Sequence, residues 1–385
     1  MYFLKLVIKN VFRSRLRSLL TLVGLVVAIV AFGLLQTVVD AWYAGSNAAS
    51  SSRLITRNAI SLVFPMPLSY RDKVRAIDGV RLVTYSNWFG GIYKEAKNFF
   101  PQFAVDHETY FSLYPDFVVS PEELAAFKRD RRGTMIGRQL ADLYDFKVGD
   151  VIPIRGTIFP GAWQFTVRGI YGGKNDTTIT NQMFFHWDYI NEEVKRIAPR
   201  RADQVGILIA LVDDPSRSAD IGKAIDDTFR NSLAETLTET EKAFQLSFVA
   251  MTEAIVMAIR TVSFVVIFII MAVVANTMAM TARERLGEYA TFKALGFSPR
   301  FVAALIFAES LAISLMGCAL AIAATYPVAR AFGAKTAQLF PIFQVSDVTV
   351  FMQLGCAIAV GVVAGLLPSL RAANVNIAEG LRSIG

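Results

Sequence analysis

A chain of 385 residues that is 54% hydrophobic, with a mean hydropathy of +0.43, carries more apolar side chain than a wholly soluble fold of its length holds. Its net charge of +7 is located rather than spread: residues 1–17 carry Lys5, Lys9, Arg13, Arg15 and Arg17 with no acid, whereas residues 40–260 hold 26 basic against 27 acidic side chains. That distribution is an orientation signal and excludes a concentrated basic face for a nucleic acid. Both cysteines, Cys318 and Cys356, fall inside apolar runs and read as small buried residues; the large polar segment has none and needs no disulfide even in an oxidising compartment.

Residues 1–17 read as an amphipathic helix on the inner leaflet, with Leu4, Val7, Ile8, Val11 and Phe12 on one face and cations opposite. Residues 18–39 are 22 uncharged residues behind those cations. A signal peptide has an apolar core of only ~7–15 residues, so this run is expected to stay as a first transmembrane helix with its N-terminus inside. Residues 40–240 are expected to form an extracytoplasmic α/β core domain, entered through a small-residue linker over 45–52. There ISLVF ahead of Pro65 and Pro67 reads as a strand, LSYRDKVRAI as a helix, and VRLVTYSNWFGGIY as a strand bent at Gly90 and Gly91. PEELAAFKRD reads as a helix with Glu122 and Glu123 in its first turn, where the dipole favours them. TMIGRQLADLYDFKVGDVIPIRG suggests strand end, helix, tight Gly149-Asp150 turn and strand; FTVRGIYG and QVGILIALV read as strands and SADIGKAIDDTFRNSLAETL as a helix. Such alternation implies one or two α/β sandwiches.

From residue 241 a helical pattern persists for 42 residues, of which only the second half fits a bilayer. Residues 241–260 are therefore expected as a stalk helix about 30 Å long, continuous with a second transmembrane helix over 261–282; a break near Ser247 is the alternative. Residues 283–300, RERLGEYATFKALGFSPR, form a cytoplasmic loop with a Lys/Arg excess. A third transmembrane helix over 301–329, a short outer loop over 330–347 containing Pro341, a fourth transmembrane helix over 348–370 and a cytoplasmic tail over 371–385 complete the chain. The expected class is a membrane protein with four transmembrane α-helices and a large α/β extracytoplasmic domain inserted between helices 1 and 2.

Within the loop, Leu286, Tyr289, Phe292 and Leu295 repeat at helical spacing while Glu288 and Lys293 fall elsewhere on the turn, and Gly296 can close the helix from the left-handed region. The apolar face must rest either on lipid headgroups or on a partner protein. ERLGEYATFKALGFS resembles the loop between the second and third transmembrane helices of FtsX-like permeases, a group that includes macrolide-exporter (MacB-type) and lipoprotein-release permeases, with a pattern near E-R-x-x-E-I-G-x-x-[KR]-A-L-G-A. Glu284, Arg285, Glu288, Lys293, Ala294, Leu295 and Gly296 match in register, while Tyr289 and Ala290 replace the usual Ile-Gly. The opening Arg17, Leu20, Thr21 and Gly24, the core-domain stretch GTMIGRQLADLYDFKVGDVIPI with FTVRGIY, and the closing Pro368, Arg371, Ala372, Ala373, Glu379 and Leu381 are similar to the same family, with Ile377 and Gly380 departing from it.

The resemblance implies that the loop is a coupling helix seated in a groove of a cytoplasmic ABC ATPase, with Arg283, Glu284, Arg285, Glu288, Lys293, Leu295 and Gly296 as the ATPase-coupling residues. It implies work as a dimer with a second copy or a paralogous permease, and ATP and Mg on the partner ATPase with no cofactor on this chain. It further implies a periplasmic adaptor as a candidate partner, and a multi-pass place in the bacterial inner membrane with both termini cytoplasmic. The expected activity is export, or outer-leaflet extraction, of a lipophilic substrate or lipoprotein; the alternative is a non-transporting regulator of an extracytoplasmic hydrolase.

No catalytic constellation competes with that expectation. A nucleotide site needs G-x-x-x-x-G-K-[ST], and the nearest string, GGKND at Gly172, lacks the first glycine and has Asn175 after its lysine. Neither G-x-S-x-G nor H-E-x-x-H occurs. Asp106-His107-Glu108 imitates a metal or base site, but His107 and His186 are the only histidines and have no cysteine companions, so the stretch reads as a surface turn with no metal. Glu309 stands inside the third span, where a carboxylate costs about 2.5–3.5 kcal/mol on insertion scales. It reads as an anchor to Asn276 or a polar lining, or as a neutral acid satisfied by a hydroxyl. Gly361 and Gly365 form a G-x-x-x-G that lets helices approach closely and offers a dimer seam.

Overall fold

The computed structural model describes residues 2–373 apart from 12, 176 and 337–339, with backbone alone at 2, 4, 5, 8, 48 and 367. Phe12 and the closing Ile377, Glu379, Gly380 and Leu381 thus lie outside the described residues. The chain divides into two compact units: a membrane unit of residues 1–41, 252–335 and 343–385, and a core-domain unit of residues 42–251 with 336–342.

The core domain is built on one mixed ten-stranded sheet, with Met66–Pro67 and Gln204–Val205 paired as a separate two-stranded one, so one layered α/β unit is present where one or two sandwiches are expected. Its path runs Thr236–Thr240, Arg53–Asn58, Ile207–Val212, Val80–Trp88, Gln102–Val105, Met183–His186, Gly133–Gly137, Gly161–Gly173 and Phe117–Val118, with Val151–Gly156 paired to the long strand. The pairings are antiparallel except Gln102–Val105 with Met183–His186 and Gly133–Gly137 with Gly161–Gly173. Successive side chains alternate faces. Leu54, Ala104, Ile136, Phe185 and Leu208 enter one apolar core, and their neighbours Ile55, Val105, Met135, Phe184 and Ile209 enter another on the opposite face. Helices cover both, among them Tyr70–Arg75, Pro121–Arg129, Arg138–Tyr144, Trp187–Ile197 and Ser218–Thr228. Ser120 caps the second of these by accepting from Glu123 N–H.

Three local expectations are corrected. ISLVF is not a strand: Ile60 and Val63 are 82% and 85% exposed, and the neighbouring RLITRN takes the sheet position between two partners. Pairing on both edges outweighs β-propensity here. The small residues at 45–48 are helical, since the helix Arg15–Ala48 continues through them. The helical pattern from 241 is interrupted: Glu241–Met251 ends, Thr252 leaves helical geometry at φ −114° and ψ 13°, and Glu253–Glu284 begins with its own first-turn acid. The interruption falls at Thr252, not Ser247, and the unit boundary falls there too.

Among the described residues four helices are long and apolar enough to cross a membrane: Arg15–Ala48, Glu253–Glu284, Pro299–Thr336 and Asp347–Ala373. The third is the most enclosed, with half of its apolar window buried, and forms the centre of the bundle. Leu25, Ile29 and Phe32 of the first meet Ile270, Val274 and Met278 of the second, Leu305, Ile313 and Cys318 of the third, and Ala357, Val360 and Ala364 of the fourth. Lipid gives no hydrophobic drive between helices, so close approach and polar ties hold them. Gln353 supplies one tie, donating to Ile29 O at 3.0 Å and Thr325 Oγ1 at 2.9 Å.

Candidate functional site

The charged loop between the second and third spans is bounded by two sharp ends. Arg285 breaks the second span from the short helix Leu286–Ala294. At the other end Gly296 takes φ +91°, its N–H donates to Lys293 O at 3.0 Å, and Phe297 N–H donates to Phe292 O at 3.0 Å. These are the two bonds of a Schellman stop, completed by the Phe292–Phe297 ring contact at 5.7 Å.

The apolar face of this helix is covered by its own chain. Tyr289 is 1% exposed and Ala290 fully buried, packed with Ala282, Val302, Ile306 and Ala372, and flanked by Leu286 and Phe292. Leu295, assigned to that face from its spacing, lies outside it at 71% exposure, because the Schellman turn begins there. Neither headgroups nor a partner is needed to cover Tyr289, which corrects both alternatives. Leu295, Gly296, Phe297 and Arg300 form the exposed tip, and a Cβ on Gly296 would meet nothing within 4 Å.

Most of the loop's charges are also engaged within the chain. Glu309, 4% exposed, receives Arg285 Nη1 at 2.9 and 3.1 Å and Asn10 Nδ2 at 2.6 Å. Arg285 also donates from Nε to Glu288 at 3.1 Å, and Glu288 pairs with Arg13 at 2.8 Å. Arg17 grips Glu284 in a bidentate fork at 2.5 and 2.9 Å. Lys293 Nζ donates to Ala373 O at 2.6 Å, tying the loop to the end of the fourth span. Arg283 is exposed. The buried carboxylate thus accepts three charge-assisted bonds, which compensate part of its desolvation. Asn276 is exposed and no anchor for Glu309; Arg285 fills that role from the loop, and Asn10 from the helix Tyr2–Val11. Gly361 and Gly365 face the third span of the same chain: an added Cβ would stand 3.1 Å from Ser314 and 3.0 Å from Ser310, and Ser310 Oγ donates to Gly361 O at 2.9 Å. Their close approach therefore serves the bundle of one chain.

A model of the FtsX-like permease C-terminal region matches residues 260–377, and one of the MacB-like periplasmic core domain matches residues 18–228, more than half of the chain. The chain belongs to the FtsX-like ABC transporter permeases with a MacB-like periplasmic core domain. An uncharacterized ABC transporter permease of Methanocaldococcus jannaschii, MJ1507, is 24% identical over 396 residues, covering 97% of this chain and 96% of its own. The Bacillus subtilis permease YvrN is 22% identical over 416 residues, covering 97% of each. Among solved structures, the extracellular domain of the noncanonic ABC-type transporter YknZ from Gram-positive bacteria aligns at 9% identity and a TM-score of 0.35, over 49% of this chain and 100% of that domain. As an FtsX-like permease the chain is a multi-pass membrane protein of a generally non-catalytic family, and membership implies a cytoplasmic ATPase partner.

Proposed function

We propose that this permease couples ATP hydrolysis by a separate cytoplasmic ATPase to movement of its extracytoplasmic core domain, for export or outer-leaflet extraction of a lipophilic substrate or lipoprotein. It sits in the inner membrane with both termini cytoplasmic, because the cations of residues 1–17 and of the 283–300 loop share one side. It works with a second copy or a paralogous permease, alongside a periplasmic adaptor, and nucleotide and Mg2+ belong to the ATPase. The observation that carries this reading is the division of labour on the loop. Glu284, Arg285, Glu288 and Lys293 brace it against the rest of the membrane unit, while Leu295 to Arg300 stand open for a partner. A load applied at the tip reaches the first span through Arg17 and the third through Glu309, since a braced lever transmits what a flexible loop would dissipate.

The test is Leu295→Asp in the permease expressed with its ATPase and reconstituted in nanodiscs. A charge in the centre of a docking face costs about 2 kcal/mol or more, so copurification of the ATPase and its stimulation by the permease are both expected to fall at least tenfold. Unchanged copurification and stimulation would reject the tip as the coupling surface. Stimulation by lipophilic cargo supports transport, whereas stable copurification with a soluble outer hydrolase and no cargo response identifies the regulator.

A further inference from the structure

The only two histidines of the chain, 79 positions apart, meet in the core domain. The parallel pairing of Gln102–Val105 with Met183–His186 sets Val105 opposite His186, so both strands end at one edge of the sheet. His107 follows two residues beyond one strand end, His186 closes the other, and the rings lie face to face with centroids 4.3 Å apart. Asp188 joins them from the first turn of the helix Trp187–Ile197. One donor atom from each of His107, His186 and Asp188 lies within 4.8 Å of the other two.

The contacts around the rings leave the lone pair of His186 Nδ1 free and set His107 Nδ1 against Asp188. His186, 2% exposed, faces Phe127 O through Nε2 at 2.7 Å; a carbonyl only accepts, so Nε2 carries the proton and Nδ1 is bare. His107 turns Nε2 towards Glu108 Oε1 at 3.5 Å and Nδ1 towards Asp188 Oδ2 at 3.3 Å, and that buried Nδ1 makes no hydrogen bond. His186 thus has a hydrogen-bonded oxygen on Nε2, the arrangement that orients imidazole ligands and raises their basicity in metal sites, and His107 has Glu108 at 3.5 Å on the same atom. Lys128 holds Glu108 at 3.0 Å, while the Asp106 carboxylate is occupied by Thr109 and Glu108 N–H.

We infer that His107, His186 and Asp188 form a binding site for a borderline divalent transition-metal cation, with zinc as its simplest occupant. Two imidazoles and one carboxylate suit such an ion, whereas calcium and magnesium take oxygen shells. Donor atoms of a tetrahedral zinc site stand roughly 3.4 Å apart at bond lengths of about 2.0–2.2 Å, so the site closes when the donor atoms draw together and the His107 ring turns out of its stack on His186 to bring both lone pairs onto one point. Asp188, 43% exposed and already 3.3 Å from His107, is the ligand with the most room to adjust. Bound metal would pin two strand ends to one helix start. This extends the permease reading, which assigns no ligand to the core domain.

The experiment uses the full-length permease in detergent with its affinity tag removed, chelator-treated, and with Cys318 and Cys356 changed to serine to remove competing thiolates. Zinc is titrated by calorimetry, cobalt is followed by its visible spectrum, and core-domain melting is read from tryptophan fluorescence. One equivalent of zinc is expected to bind in the low-micromolar range or tighter, with melting raised by a few degrees at saturation. His107→Gln and Asp188→Asn each weaken binding by about tenfold or more while the zinc-free melt stays in place. Those two partly exposed positions keep the test independent of folding, which a change at buried His186 would not. Absence of a one-to-one site tighter than ~100 μM for zinc or cobalt would overturn the inference, as would a site that survives both substitutions.

Discussion

In the core domain, neighbouring residues such as Leu54 and Ile55 or Phe184 and Phe185 sit back to back across one sheet, and apolar burial on both faces holds the unit together. In the membrane unit the apolar residues are as numerous, but many of them face outward, Phe268 at 66% and Val262 at 51% exposure, and the spans meet through one apolar cluster, close approach at small residues and a few polar ties. The contrast follows from solvent. Water rewards burial of Phe184, while lipid is indifferent to Phe268, so apolar side chains are driven inward in one unit and many are left outward in the other, where close packing and polar ties fix how the spans meet. The polar ties are concentrated at one end of the spans, where Asn10, Arg13, Arg17, Glu284, Arg285, Glu288 and Glu309 connect three segments distant in sequence.

Native probes separate the two units. All four tryptophans (42, 88, 163 and 187) belong to the core domain, and both thiols belong to the membrane unit. Glu309→Ala takes from Arg285 the more buried of its two carboxylate partners, leaving only Glu288, and is expected to cost about 3 kcal/mol, seen as early labelling of Cys318 on denaturation with the tryptophan transition unmoved. Replacing Arg285 and Glu309 together by leucine should recover most of that loss, and failure to recover would mean that the pair is not the tie described. Phe184→Ala is the mirror experiment, expected to cost about 3–5 kcal/mol in the tryptophan transition while Cys318 stays protected. Ile270→Ala, a similar truncation between spans, is expected to cost less than Phe184→Ala, and an equal cost would break the comparison. Gly361→Ala pushes a Cβ to 3.1 Å from Ser314 and should cost about 1–3 kcal/mol in thiol protection. Gly296→Ala, at φ +91° with open space around it, should cost only about 1 kcal/mol and leave both transitions nearly in place.

The fold was largely legible because its signals are periodic. Uncharged runs marked the spans, and alternation with Gly149-Asp150 turn chemistry marked much of the core domain. Arg53–Asn58 escapes a sequence reading because RLITRN looks polar, and it is strand only through partners 150 or more residues away. The break at Thr252 was hidden by the helical pattern on either side of it. On the loop, sequence identified the charged residues but not their partners. Pairing Asn10 with Glu309 requires the first helix to lie against the third span, and no local pattern encodes a contact across 299 residues. Leu295 was placed on the buried face by its spacing, yet the stop at Gly296 ends the helix one residue earlier. The histidine pair had no legible spacing either, since it depends on a parallel strand pairing.

The central claim is that the loop's buried face and charges belong to its own chain and that the tip belongs to the ATPase. Cysteine accessibility addresses it directly, in a background with Cys318 and Cys356 changed to serine. Leu295→Cys is expected to react quickly with a water-soluble maleimide in the free permease and to be protected when the ATPase is bound, while Tyr289→Cys stays unreactive in both states. Fast labelling at 289 in the free permease that the ATPase suppresses, with 295 unaffected, would contradict the account.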